Sequence, residues 1–488
     1  MAVFAIVLAL PLASAAVRAD DAADASIAQL RRALVSRSDG RHLALLHSLR
    51  QLRDPSLRAL FVELMGHRQW QVQVHAILAL AEMDPEGRID ADRLGALEAQ
   101  AQEAAIASAL DLGLMGPDQI RSVLARDDVG QMPQLLLIAE LLLAAEPLDP
   151  ARLTKLMESA DSRTAGLASL LAAQLGDGGA LSAYRGHMAD LSAADHRRTV
   201  QWVLPAIRQY HLTRALPWVL EVLADPELDP QLARAGVRTA LELDSQRGLE
   251  QWQRFLAEGA PYGDRVRWGL VLLSSGADVP ANAYDRLGAG EPLIDALVRA
   301  GKARAGESGV PTAFKGLIDL DHSMTAEWVL HATGDLEPEP AAEVYLYFIE
   351  VSADRRKGQG ERIARAVTAT ARLFKIAPDR VLERLAEAED DGPAQEAMLL
   401  GLLDSSSPKA GRAAGSVRRI GAGHADSLAL LLIAKHAKKL DPADLYRLGM
   451  IAQGGGRVSD VLRTQAAWLY LKHTQSTEAV VAKILAES

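Results

Sequence analysis

The feature that most constrains this chain is a weak internal repeat. Val222-Leu223-Ala224 matches Phe255-Leu256-Ala257, and Arg234-Ala235-Gly236-Val237 matches Arg267-Trp268-Gly269-Leu270, each at an offset of 33 residues. A period of this length is typical of an α-solenoid, in which helix pairs stack in one direction. The repeat therefore predicts an all-α fold built from roughly a dozen antiparallel helix pairs.

Size and composition agree with this prediction. A chain of 488 residues is too long for one compact core, but in a solenoid each repeat packs only on its neighbours. Aromatic residues make up only 4% of the chain, although 49% of it is hydrophobic. A core of alanine and leucine suits close helix packing and argues against a β-sandwich.

The clearest unit begins at Asp54-Pro55-Ser56, where aspartate can cap a helix and proline is tolerated in its first turn. A second helix follows, and its segment 75–84 lines up with 235–244. Small residues in these second helices allow close approach of a facing helix, which is the best justification for the glycines among them. This helix–turn–helix unit resembles a HEAT repeat across about 54–267 and 379–488. The resemblance implies a right-handed HEAT/armadillo-like superhelix.

The N-terminus predicts export. The run 2–12 is apolar and is followed by the small residues Ala13-Ser14-Ala15, as in a secretory signal peptide, although no lysine or arginine precedes it. The mature protein is then expected in the periplasm or outside the cell, with no transmembrane segment. If the segment is an ordinary first helix instead, the chain stays cytoplasmic.

The chain is predicted to have four parts. They are a signal peptide (1–19), an N-terminal helical-repeat array (20–300), an irregular loop-rich segment or bend (301–340) and a C-terminal array (341–488). Two glycine- and proline-punctuated stretches, 301–312 and 334–340, suggest the bend. The alternative is one continuous array with long loops at these places.

The net charge of the chain limits the class of macromolecule that it is expected to bind. The formal net charge of −10 argues against general nucleic-acid binding, which needs a basic surface. Residues 401–488 nevertheless hold 12 Lys/Arg against 7 Asp/Glu, a local net charge of +5. Solvated helix ends are the default explanation of this basic array, and binding of an anionic surface polymer is the alternative.

No motif for chemistry was found. The chain has no cysteine, which excludes disulfides, thiolate nucleophiles and Cys-ligated metals. The 12 histidines form no recognised metal motif, and neither a nucleophile elbow nor a phosphate loop occurs. We therefore predict no catalytic, cofactor or metal site and a protein that is not an enzyme. An enzyme or enzyme accessory on a HEAT-like fold remains the alternative, because fold does not determine function.

Candidate binding residues fall into three groups. The first group combines closely spaced tryptophans with flanking arginines: Trp202, Arg208, Trp218, Trp252, Arg254 and Trp268. The second is the basic run Arg355, Arg356 and Lys357, and the third is Arg457, which follows a glycine cluster. Large aromatics in such a fold either fill the core or anchor a ligand. For the basic run the alternative to ligand binding is a solvated helix start, and for Arg457 it is a flexible turn.

These observations predict an exported, non-enzymatic scaffold that binds a protein or peptide partner through its concave surface. Affinity is expected to come from a few tryptophan and arginine anchors. The identity of the partner and the oligomeric state do not follow from the sequence.

Overall fold

The computed structural model describes residues 21–32, 40–84, 86–276, 278–306, 309–352, 359–388, 392–403, 405, 407–417, 424–454 and 458–485. Within these ranges the chain is helical, with no β-strand, so the predicted all-α class is confirmed. The predicted signal peptide, Arg355, Arg356, Lys357 and Arg457 lie outside the described residues.

The chain divides into two compact units. Unit 1 combines Met1–Met115 with Ala341–Ser488, and unit 2 is Gly116–Pro340. The predicted N-terminal array thus contributes to both units, and its first part belongs with the C-terminal residues.

The first helices of unit 1 are α1 (21–32), α2 (Gly40–Gln51), α3 (Arg58–Leu64), α4 (Trp70–Glu82), α5 (Ala91–Gly95) and α6 (Ala99–Asp111). Those of unit 2 are α7 (Pro117–Leu124), α8 (Gln131–Leu143), α9 (Pro150–Met157), α10 (Ser162–Leu175), α11 (Ala180–Ala189), α12 (Ala193–Gln209), α13 (Leu216–Ala224), α14 (Pro230–Leu243), α15 (Ser245–Phe255), α16 (Tyr262–Ser274), α17 (Pro292–Arg304), α18 (Val310–Asp319) and α19 (Ser323–Ala332). The remaining helices are α20 (Pro338–Ser352), α21 (Gln359–Ile376), α22 (Pro378–Glu387), α23 (Pro393–Leu403), α24 (Pro408–Val417), α25 (His424–His436), α26 (Pro442–Ala452), α27 (Asp460–Thr474) and α28 (Thr477–Leu485). Short 3-10 turns lie at Pro55–Leu57, Thr213–Ala215, Ala281–Leu287 and Thr333–Asp335.

Several helices begin at an Asp-Pro pair. Asp54, Asp149, Asp229 and Asp441 each accept a hydrogen bond from a backbone N–H two or three residues ahead, and proline follows each of them. The carboxylate satisfies a donor that the helix leaves free, and the proline has no N–H to satisfy. The helix start predicted at Asp54 is therefore confirmed, as a 3-10 turn that leads into α3.

Neighbouring helices pack on one another throughout both units. In unit 2, α8, α10, α12, α14 and α16 contact each other in that order, and α14 also packs on α13 and α15. The two halves of the 33-residue match at Arg234 and Arg267 lie in α14 and α16, which are in contact. The sequence repeat thus corresponds to successive packed helices.

Glycines inside helices mark the closest approaches, as predicted. A Cβ on Gly236 would lie 2.8 Å from a methyl of Leu223, and a Cβ on Gly269 would lie 3.1 Å from a methyl of Leu287. At Gly401 it would meet the carbonyl oxygen of Val367 at 2.7 Å. Close packing therefore offsets the low helix propensity of glycine at these positions.

The segment 301–340 contains two helices, α18 and α19. The loop predicted from Gly301 begins later, since Gly301 lies in the last turn of α17. A Cβ at Gly301 would lie 2.1 Å from the ring of Tyr284. This glycine thus serves helix packing rather than a turn.

In unit 1 the two ends of the chain share one core. The helices α6, α4, α2, α27, α25, α23 and α21 contact each other in that order, so α2 joins the N-terminal row to the C-terminal row. Gln29 Nε2 donates to Thr464 Oγ1 at 3.0 Å, and Gln465 Nε2 donates to the Ser48 carbonyl at 3.0 Å. Buried amide N–H groups from one end of the chain therefore donate to acceptors from the other end.

Candidate functional site

The predicted tryptophan anchors lie mostly inside unit 2. Trp218, Trp252 and Trp268 are buried, and Trp252 is 0% exposed. Trp252 Nε1 donates to the Trp268 carbonyl at 2.9 Å, and Trp268 stacks on Phe255 with ring centroids 5.5 Å apart. These side chains therefore have the core-filling role that the sequence left open beside ligand binding. Trp202 is half-buried, with the Arg163 guanidinium 6.0 Å from its ring.

The two arginines beside them contact the protein itself. Arg254 donates to the carbonyl of Leu223 at the end of α13 and lies 4.9 Å over the ring of Phe255. Arg208 lies 3.8 Å from Glu242, and burial lowers the pKa of Arg208 and raises that of Glu242. Loss of hydration thus outweighs the attraction within this half-buried pair.

Unit 2 has a groove of about 680 Å³ between α11, the start of α12, α13 and the start of α14. We call it the α11–α14 groove. Its apolar lining residues include Met188, Leu191, Val200, Trp218, Val222, Leu228 and Leu232. Trp218 is thus the predicted candidate that does line a concave surface, although its ring is mostly covered.

The rim of the α11–α14 groove is acidic. Four carboxylates line it against two arginines: Glu221, Asp225, Glu227 and Asp229 against Arg185 and Arg197. Arg185 binds Glu221 with two hydrogen bonds of 2.9 and 2.5 Å, which raise the pKa of Arg185. The side chains of Glu227 and Arg197 make no ion pair within the described ranges.

Tyr184 packs in the core against Trp218, one of the residues that line the groove. Its ring meets the Trp218 ring edge-on, with centroids 5.0 Å apart, and it lies against Gly166. Burial raises the pKa of Tyr184, and its hydroxyl has no hydrogen-bond partner among the described residues. A neutral, buried ring therefore supports Trp218 from within the core. The sequence signal for the groove is the acidic loop Asp225-Pro226-Glu227-Leu228-Asp229, which is not among the aromatic and basic candidates.

The basic C-terminal array also has a concave part, in unit 1. Lys438, Lys439, Lys472 and His473 line a cavity of about 600 Å³ together with Asp441. Lys472 Nζ lies 2.8 Å from Asp54 Oδ2, whereas Lys438 and Lys439 are exposed. Part of the local positive charge is thus gathered in one place.

A cluster of ionisable groups surrounds Glu82 in unit 1. Arg50 donates to Glu82 from Nε at 2.5 Å and from Nη2 at 3.0 Å, and both side chains are about nine-tenths buried. His47 and His75 lie edge-on with ring centroids 6.2 Å apart. Burial, followed by the charge of Arg50, lowers the pKa of His75 to about 4. Among the described residues no group of three or more His, Asp or Glu is arranged to hold a metal ion.

This cluster predicts acid sensitivity of unit 1. The pKa of His75 is about 4 in the folded chain and 6.5 when exposed. Between pH 4 and pH 6.5 His75 is therefore protonated in the unfolded chain and mostly neutral in the folded chain. Stability is then fully present above pH 6.5 and falls by roughly 2 to 3 kcal/mol as the pH drops to 4. The facing groups are His42, His47, Arg50 and Glu82.

Urea unfolding of the full chain at pH 7 and pH 4.5 measures this loss. His75→Gln removes the titrating ring, so its unfolding free energy is expected to change much less across the window. Asp54 titrates below this window, because its pKa is lower than its ordinary value of 3.8. Burial also lowers the pKa of His436, but His436 is present in both proteins, so the difference between them reports on His75. An equal loss in His75→Gln would contradict the assignment.

No protein-family model matches the chain, and neither the curated proteins nor the solved structures contain a match. None of the helices within the described ranges is both long and apolar enough to cross a bilayer.

Proposed function

We propose that the chain is an exported, non-enzymatic helical-repeat scaffold whose α11–α14 groove binds a segment of a partner protein. The observation that carries this proposal is the groove itself, an apolar channel with an acidic rim. Apolar lining supplies affinity, and a rim of one sign of charge selects the partner.

The proposal includes an α-solenoid of antiparallel helix pairs of the HEAT/armadillo type. Support comes from the ordered packing of α8, α10, α12, α14 and α16 and from the 33-residue match that falls on α14 and α16. In such arrays the second helices form an extended binding surface. Export is proposed from the apolar, small-residue N-terminus alone.

The chemistry of the groove indicates what kind of segment fits. Asp225 and Asp229 already accept hydrogen bonds from backbone N–H groups of the loop and of α14, while Glu227 is exposed and uncommitted. With four carboxylates against two arginines, the rim has an excess of negative charge. A segment with an apolar side chain next to lysine or arginine is therefore complementary to it.

A pair of labelled nonapeptides tests this proposal by fluorescence anisotropy with the full chain. One has a central leucine among lysines, and the other has the same leucine among glutamates. We expect the lysine peptide to bind more tightly, and Glu227→Lys to weaken it about tenfold by reversing a rim charge. Val222→Asp, which places a charge in the apolar lining, is expected to abolish binding.

Glu258→Lys is the matched control, because Glu258 is an exposed acid of unit 2 that does not line the groove. It is expected to leave the affinity unchanged. Equal binding of both peptides, or wild-type affinity in Val222→Asp, would remove the groove from the proposal.

A second candidate function is binding of an anionic surface polymer through the basic C-terminal array. It is favoured by the shared cavity of Lys438, Lys439, Lys472 and His473. Such binding weakens steeply with salt because the lysine–polyanion attraction is screened, whereas apolar anchoring does not. The alternative of an enzyme on the same fold finds its best support in the cluster around Glu82.

A further inference from the structure

A second cavity of unit 1 lies where several helices end. Its volume is about 400 Å³, and residues at or just after the C-terminal ends of α2, α4, α6 and α21 line it. Arg50, Arg53, Glu82 and Lys375 supply its charged groups, and Leu112 and Phe374 supply apolar ones. We call it the helix-end cavity.

Positive charge is in excess in the helix-end cavity. Arg50 and Glu82 neutralise each other in a buried, bidentate pair. Arg53 lies 3.8 Å from the same carboxylate and is still 41% exposed, and Lys375 is exposed. Glu82 is thus shared between two arginines, and no second acid lines the cavity among the described residues.

Helix C-termini carry partial negative charge, which is one ordinary reason for cations near them. At the end of α2 a different residue fills that role, since Lys435 Nζ donates to the carbonyls of Gln51 and Leu403 at 3.0 and 2.6 Å. Arg53 therefore faces the cavity and solvent with no carbonyl partner among the described residues, and Lys375 lies beside it in the last turn of α21.

The backbone conformation at Arg53 also bears on the role of its side chain. Arg53 follows the end of α2 with φ +49°, a left-handed conformation that favours glycine. An arginine there is held in a conformation that a glycine would adopt with less strain. Ala145 occupies the same conformation after α8, with φ +56°, and has no charged side chain. Replacing Arg53 by glycine therefore removes its charge without adding strain to the turn.

We propose that the helix-end cavity binds a small organic anion that carries a planar apolar group. Arg53 and Lys375 hold the anionic group, beside His47, and the planar group lies against Phe374 and the exposed side chain of Leu112. Guanidinium and ammonium groups are the protein's usual partners for carboxylates and phosphates. This site is separate from the α11–α14 groove and does not depend on it.

Isothermal titration of the full chain with phenyl phosphate tests the proposal, with inorganic phosphate and phenol as separate arms. Phenyl phosphate is expected to bind more tightly than either, because only it uses both the cations and the apolar wall. Arg53→Gly is expected to weaken it at least about tenfold while the unfolding midpoint stays the same or rises. Lys375→Gln is expected to weaken it in the same direction.

Ala145→Gly is the control, since it makes the same left-handed substitution where no cavity charge is involved. It is expected to leave phenyl phosphate binding unchanged. Wild-type affinity in Arg53→Gly, or no saturable binding by the wild-type chain up to about 10 mM, would overturn the proposal. Equal affinity for phenol and phenyl phosphate would also overturn it, because the anion would then contribute nothing.

Discussion

Trp468→Ala is expected to lower the free energy of unfolding of unit 1 by about 4 kcal/mol. Trp468 is 0% exposed in α27, and its Nε1 donates to Asp54 Oδ2 at 3.0 Å. The substitution leaves a cavity between helices from opposite ends of the chain, where α27 packs on α2. It also removes a hydrogen bond from a buried carboxylate.

Asp54 makes the contact with Trp468 sensitive to substitution. Burial alone would raise the pKa of Asp54, but hydrogen bonds from Lys472, Ser56 and Trp468 hold it below its ordinary value. Lys472 Nζ is 2.8 Å from Oδ2, and the Ser56 hydroxyl donates to Oδ1 at 2.5 Å. The carboxylate therefore stays ionised in the core, where each lost donor costs free energy.

Urea unfolding at pH 7 and hydrogen exchange of α2 and α27 measure the effect. Trp468→Phe keeps most of the ring volume and loses only the donor, so about 1 to 2 kcal/mol is expected. Trp70→Ala is the matched control in unit 1, because Trp70 is only half-buried. A loss of stability in Trp468→Ala no greater than in Trp70→Ala would contradict the stabilising role assigned to Trp468.

Gly248→Ala is expected to destabilise unit 2 by about 3 kcal/mol. A Cβ at Gly248 would lie 2.3 Å from both Cα and N of Leu241. Those are backbone atoms of α14, so no side-chain rotation relieves the overlap. Only Asp244 separates α14 from α15, and its carboxylate caps α15 by accepting from the N–H of Arg247 at 3.0 Å. The tight corner presses the first turn of α15 against the end of α14.

Gly186→Ala in α11 is the control, since nothing lies within 4 Å of its added Cβ. There the better helix propensity of alanine is expected to stabilise the chain by up to about 1 kcal/mol. The two substitutions are chemically identical, and opposite signs in urea unfolding are the expected result. A gain of stability in Gly248→Ala would show that α14 and α15 separate easily.

Part of this fold followed from local pattern. The helix start at Asp54-Pro55 and the packing role of Gly236 were predicted, because capping and close approach depend on residue type and spacing along one helix. The all-α class followed for the same reason. Gly301 was misassigned to a loop, since a glycine that ends a helix and one that accommodates Tyr284 look alike in sequence.

The candidate sites were predicted less well. Trp252 was a candidate binding residue and is 0% exposed, whereas the acidic loop with Glu227 was not considered. Sequence pattern gives the size and charge of a side chain but not which side of a helix the neighbours leave open. The pairing of Arg50 with Glu82 across 32 positions was likewise invisible before α2 and α4 were placed together.

The sequence by itself determined that the chain is helical, where several helices begin, and which small residues lie at helix seams. These properties depend on interactions within about four residues or on the size of one side chain. Only the tertiary structure decided that α2 packs on α27, that Trp468 meets Asp54 across 414 positions, and that the α11–α14 groove is open. Such contacts join segments far apart in the chain, and their free energy depends on burial and charge that arise only when the helices have assembled.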